Sequence, residues 1–67
     1  MKVLLNNRVE EIERGDISVS ELLSLKNYTF KLLIVKINGL LVKRDEYAQT
    51  FIHEGDDVMV LHLISGG

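Results

Sequence analysis

The chain has 67 residues, 46% of them hydrophobic and 27% charged, with no cysteine, no proline and a formal net charge of −2. This composition excludes a disordered chain, a disulfide-stapled scaffold and a thiolate metal site, and a chain near this length buries only about 60% of the surface its unfolded form exposes, so one domain with one small core is expected. The eight basic residues are spread from Lys2 to Arg44 rather than clustered, which is not the footprint of a nucleic-acid partner.

In chain order, Val3-Leu4-Leu5 and Val9 to Ile12 are short strand candidates around Asn6-Asn7-Arg8. Asparagine tolerates the left-handed backbone of a tight turn, so the two should pair as an antiparallel hairpin. The apolar residues before Asn6 are too few for the core of a signal peptide, and nothing later approaches a membrane span, which makes the cytoplasm the expected compartment. After the break at Arg14-Gly15-Asp16, Ser18 with Glu21 three residues on has the form of a capping box, and Ile17 can staple onto Leu22. Val19, Leu22 and Leu23 then share one face at helical spacing, with Leu25 at its margin, in a short helix ending near Lys26-Asn27.

Leu32 to Ile37 is apolar and β-branched and closes on Asn38-Gly39, a type I′ hairpin signal that needs positive φ twice; Leu40-Leu41-Val42 is the return strand. Lys43 to Gln49 reads as a one-turn helical or irregular connection, Glu54-Gly55-Asp56 as a second turn, and residues 58–64 as the last strand. The order strand, strand, helix, strand, strand, strand predicts an α+β fold with a sheet packed on one helix.

A single short helix covers only one face of a sheet. In the last strand Met59, Leu61 and Leu63 share one face while Val58, Val60 and Ile64 share the other, and both sets are apolar. One set must lie outside the core. By the same alternation Val35 and Ile37 point inward and Lys36 outward, so the outer face is expected to carry Ile34, Lys36, Met59, Leu61 and Leu63. An exposed apolar patch on a small domain marks a partner surface, unless residues 28–31 and 43–52 fold over it. Arg44 and Asp45 read as a solvated turn, with a partner contact through Arg44 as the alternative.

His53 and His62 lack the helical spacing and the cysteines that would complete a metal site, and they read as ordinary surface or strand residues. Gly15, Gly39 and Gly55 stand singly at turns, and none opens a helix as a phosphate-binding loop does. No catalytic residue, metal or bound cofactor is expected of the chain. The distinctive feature is the ending, where the apolar run from Val58 leads into Ser65-Gly66-Gly67. Two glycines, having no Cβ, make a thin arm that can thread a narrow channel and present one reactive group, the α-carboxylate of Gly67. The expected division is a folded domain over residues 1–64 and a flexible tail over 65–67, with Ser65 and Gly66 threading a partner's active site.

Ser20-Glu21-Leu22-Leu23, Ile37-Asn38-Gly39 followed by Val42 and Arg44, Tyr47, Glu54-Gly55-Asp56 and the Gly66-Gly67 ending together resemble the ThiS family of sulfur carriers in thiamine biosynthesis, over nearly the whole length. The resemblance implies a ubiquitin-like β-grasp fold, a mixed sheet of four to five strands packed on one short helix. It implies a protein co-substrate rather than an enzyme. A ubiquitin-activating-type adenylyltransferase would use ATP to adenylate the Gly67 carboxylate, sulfur from a donor such as a cysteine desulfurase would convert the adenylate to a thiocarboxylate, and a thiazole synthase would take that sulfur. Two positions depart from the family's pattern: Lys43 stands where proline is frequent, and Tyr28-Thr29-Phe30 is unusually aromatic.

Other readings of the same terminus stay open. A sister carrier, such as the small subunit of molybdopterin synthase or a carrier for tRNA thiolation, would share the chemistry at Gly67, although the former usually approaches its diglycine through a proline that this chain lacks. A ubiquitin-like modifier would pass the activated Gly67 to a lysine amine, and a plain interaction module would not use the terminus at all.

Overall fold

In the computed structural model, which describes residues 1–28 and 32–62, the chain opens with the expected hairpin. Asn6 and Asn7 have φ of 52° and 66°, the left-handed pair that a two-residue turn between strands demands. They join β1 (Lys2–Leu5) to β2 (Arg8–Glu11), with Leu5 opposite Arg8 and Lys2 opposite Glu11. Ile12, expected inside the second strand, is buried just beyond its end.

The helix starts where the capping box places it. Ser18 is the last residue of β3 (Ile17–Ser18) and the N-cap of α1 (Val19–Leu25). The Glu21 N–H donates to Ser18 Oγ at 3.1 Å, and the Ser18 N–H donates to Glu21 Oε1 at 3.0 Å. Val19, Leu22 and Leu23 form the buried face, and Ile17 lies in the same core as Leu22, as a hydrophobic staple requires. At the other end Lys26 Nζ sits 2.8 Å from Glu10 Oε2, tying the helix to β2. The hydrogen bond to Glu10 holds the Lys26 ammonium above the usual lysine range.

After the second hairpin, β4 (Leu33–Ile37) to β5 (Leu40–Val42) through Asn38-Gly39, the connection tightens into a single 3-10 turn, Arg44–Glu46. The Lys43 N–H donates to Glu46 Oε1 at 3.2 Å, a bond that a proline at this position lacks the hydrogen to make. The following segment docks on the start of the helix: the Ser20 N–H donates to the Tyr47 carbonyl at 3.1 Å and the Val19 N–H to the Thr50 carbonyl at 2.9 Å. β6 (Phe51–Ile52) then pairs with β3, Ile17 opposite Ile52, as a separate two-stranded sheet. Segment 47–52 thus docks on the helix side of the molecule, and among the described residues Leu4, Leu41 and Leu61 of the opposite sheet face stay exposed. Of the aromatic run, Tyr28 packs half-buried against the core, and Thr29 and Phe30 lie outside the described residues.

β7 (Asp57–His62) completes a five-stranded sheet of order β2-β1-β7-β4-β5. It runs parallel to β1, Leu4 opposite Asp57 and Leu5 opposite Val58, and antiparallel to β4. The sheet is therefore mixed, with the last strand at its centre and one helix on one face: an α+β, β-grasp arrangement. Val3 and Leu5 of β1, Val35, Val42, Val58 and Val60 meet Val19, Leu22 and Leu23 in the core. The Glu54-Gly55-Asp56 turn is pinned to its neighbours. Gly55 at φ 84° donates its N–H to the Lys2 carbonyl at 2.8 Å, and Asp56 accepts from the His53 N–H at 2.8 Å and from Asn38 Nδ2 at 3.1 Å. Residues 63 and 64, expected in the last strand, and the expected boundary between 64 and 65 lie outside the described residues. Among the described residues no helix is long and apolar enough to cross a membrane.

Ser18→Ala removes the N-cap acceptor and should lower unfolding stability by about 1 kcal/mol, measured by denaturant titration; an unchanged midpoint would contradict the cap. The Glu21 carboxylate is held below the ordinary glutamate range, first by the Ser18 main-chain N–H, then by the Ser18 side chain, with Arg14 contributing at 3.5 Å. A depressed carboxylate stabilises above its unfolded-state range and loses that contribution as pH falls through its folded value. The stability advantage of the wild type over Glu21→Gln should accordingly be present at neutral pH and close on acidification below the glutamate range. A gap independent of pH would contradict the assignment.

Candidate functional site

The two faces of β7 have different fates because only one of them meets the helix. Val58 and Val60 are buried, Met59 is half-buried and Leu61 is 42% exposed. Across the antiparallel ladder Ile34 stands opposite Leu61 and Lys36 opposite Met59. Directly opposed residues share a sheet face, so Ile34, Lys36, Met59 and Leu61 come together as one outer patch. Val35 is buried and Ile37 packs against the core, as the alternation predicts.

The patch is wider than the sequence suggested. Leu41, 60% exposed, stands opposite Lys36 on β5, and on the other side Leu4 and Val9 face each other across β1 and β2, both exposed. The signal for Leu4 and Leu41 was present, since each sits in a run of three apolar residues in a strand and has at least one buried neighbour, Val3 and Leu5 beside Leu4 and Val42 beside Leu41. Assigning them to the outer face needed the strand pairing.

Arg44 reaches the same end of the sheet. A groove of about 400 Å³, lined by Leu32, Leu33, Ile34, Leu41, Val42, Lys43, Arg44 and Tyr47, opens beside the outgoing end of β7, because Leu33 lies opposite His62 and Ile34 opposite Leu61. Ile34 belongs to both patch and groove. The groove adds the positive charges of Lys43 and Arg44 to an otherwise apolar lining. Leu63, Ser65, Gly66 and Gly67 lie outside the described residues; the described part is the strand that leads to them.

That strand is fixed by a side chain the sequence marked only as a turn former. The Leu4 N–H donates to the Asp56 carbonyl and the Asn6 N–H to the Val58 carbonyl, each at 2.9 Å, and the Val60 N–H donates to Asn6 Oδ1 at 2.7 Å. His53 pairs instead with Asp16, Nδ1 to Oδ2 at 2.8 Å, both side chains more than half exposed. Among the described residues no group of three or more histidines, cysteines or carboxylates is placed to hold a metal ion. Chemically, this end of the molecule offers contact area and positive charge.

Comparison with known proteins agrees with this architecture over the full length. The ThiS family model matches residues 3–67. The sulfur carrier protein ThiS of Escherichia coli (strain K12) is 28% identical over 67 residues, covering 100% of both chains. The crystal structure of the thiamine biosynthesis protein ThiS from Geobacter metallireducens matches with a TM-score of 0.87 at 29% identity, covering 100% of each chain. The solution structure of the thiamine biosynthesis protein from the same organism matches with a TM-score of 0.79 at 29% identity, covering 100% of this chain and 88% of that one.

The two faces of β7 should respond oppositely to a charge. Val60→Asp places a carboxylate in the core and should prevent folding or cost several kcal/mol, whereas Leu61→Asp should cost about 1 kcal/mol, the strand-propensity penalty. Comparable losses in denaturant titrations of the two variants would contradict the face assignment.

Proposed function

Because the chain belongs to the ThiS family, we propose that it is a sulfur carrier of thiamine biosynthesis and that the α-carboxylate of Gly67 is the group that carries the sulfur. The observation that supports this most is the full-length match, which runs to Gly67 and covers the whole of the Escherichia coli sulfur carrier. A carboxylate is a poor electrophile and needs activation. In the first step a Gly67 carboxylate oxygen attacks the α-phosphorus of ATP on a ubiquitin-activating-type adenylyltransferase, and pyrophosphate leaves. Sulfur from a donor such as a cysteine desulfurase arrives as a persulfide, which two thiol equivalents reduce to hydrosulfide as they are oxidised to a disulfide; the hydrosulfide then attacks the acyl carbon. AMP departs with the C–O bonding pair and the sulfur's proton goes to solvent, leaving a C-terminal thiocarboxylate.

The thiocarboxylate is a nucleophilic sulfur on a glycine arm, the form in which a thiazole synthase can take it up. In this reading the ATP site and the acid–base groups belong to the partner enzymes. Ile34, Lys36, Met59, Leu61 and Leu63, with Arg44 at the rim of the groove, are the recognition surface, and Ser65-Gly66 is the part that threads the partner's active site. The compartment is the cytoplasm.

Deleting Gly67 should leave the unfolding midpoint within the noise expected for a chain end while abolishing sulfur transfer to a thiazole synthase. Leu61→Asp should weaken binding to the adenylyltransferase while its terminus stays chemically competent. Sulfur transfer by the chain lacking Gly67, or unchanged affinity of a folded Leu61→Asp variant, would contradict the terminus or the surface respectively.

A further inference from the structure

β1 accompanies β7 for only two backbone pairs, Leu4 with Asp57 and Leu5 with Val58. It then turns away, because Asn6 and Asn7 both adopt positive φ. The next β7 amide on that side, Val60 N–H, lies beyond the last of those pairs, and its acceptor is the Asn6 side-chain oxygen at 2.7 Å. A main-chain N–H can only donate, so the atom facing it is Oδ1 rather than Nδ2. Asn6 meets two requirements at once. Its backbone takes the left-handed turn, and its short side chain supplies the acceptor that a longer β1 would have supplied. Aspartate satisfies both; glycine satisfies only the first.

We propose that Asn6 is a positioning residue for the reacting terminus: by accepting the Val60 amide proton it holds the outgoing half of β7 in place past the end of β1. The inference rests on the sulfur-carrier reading. Val60 is followed by Leu61, which lies on the outer patch, and by the run to Gly67. Loss of the Asn6 acceptor removes the tie to β1 at Val60 and leaves that segment held by its pairing with β4, where Leu61 stands opposite Ile34, and by the burial of Val60. The segment must then be ordered when the partner binds, and ordering on binding weakens association. The effect belongs to KM for the carrier, since the chemistry at an already threaded terminus is untouched.

The test uses the full chain with a ThiS-activating adenylyltransferase, ATP, magnesium and sulfide, and compares Asn6→Gly, Asn6→Asp, Asn7→Gly and Ser18→Ala with the wild type. Asn7→Gly adds the same glycine at the neighbouring left-handed position without removing the acceptor, and Ser18→Ala destabilises the fold at the helix N-cap, without touching the Asn6–Val60 bond. Amide exchange at Val60 should accelerate about fivefold in Asn6→Gly, the factor equivalent to one ordinary hydrogen bond, and KM for the carrier should rise by about the same factor with kcat within about twofold. Asn6→Asp, Asn7→Gly and Ser18→Ala should keep the wild-type KM. Unchanged Val60 exchange in Asn6→Gly, an unchanged KM, or a rise shared by Asn7→Gly or Ser18→Ala would each overturn the positioning role. Failure of the wild type itself to be converted would overturn the carrier reading and the role together, whereas conversion with one KM for all variants would overturn the role alone.

Discussion

The parallel pairing of β1 with β7 is the constraint on which the rest of the structure depends. It brings the first and last described strands together and places β7 between β1 and β4, at the centre of the sheet. A central strand has partners along both edges and one face packed on the core, so its direction is set by the whole domain. Val58 and Val60 are enclosed, and full burial of such a side chain is worth about 1.5–3 kcal/mol. Whatever follows His62 leaves from a central strand whose outgoing half is paired with β4 and tied to the Asn6 side chain.

The same placement divides the molecule by role. The inner face of the sheet is committed to α1 and to the β3–β6 pair, which the Ser18–Glu21 box and the 47–50 segment lock together through main-chain bonds. The outer face has no such cover from segment 47–52, and there the apolar residues of β4, β5 and β7 and the cationic groove meet near the outgoing end of β7. A chain of this size has little volume for a buried catalytic site. The proposed division, a recognition surface on this chain and the catalytic groups on its partners, requires none.

Features governed by local chemistry were legible in the sequence. The capping box, the Asn-Gly hairpin and the alternation that turns Lys36 outward and Val35 inward each depend on residues a few positions apart, and each is found as expected. The outer patch followed from a similar local rule, two apolar faces and one helix. What was not legible depends on residues far apart in sequence. β3 and β6 are two residues each, too short for any periodicity, and exist because Ile17 meets Ile52 across the fold. Leu4, Val9 and Leu41 join the outer face only once the strand order is known. Asn6 announced its turn, but its bond to Val60, 54 residues away, is a tertiary fact. The role of Gly67 rests on the family's chemistry and on the terminal diglycine, since the described residues end at His62.

The central claim is that Gly67 receives sulfur, and the intact mass of the chain tests it most directly. After incubation with ATP, sulfide and a ThiS-activating adenylyltransferase, the mass should rise by the replacement of one oxygen by sulfur, and fragmentation should map the change to Gly67. An unchanged mass, under conditions in which an authentic ThiS protein is fully converted, would contradict the account.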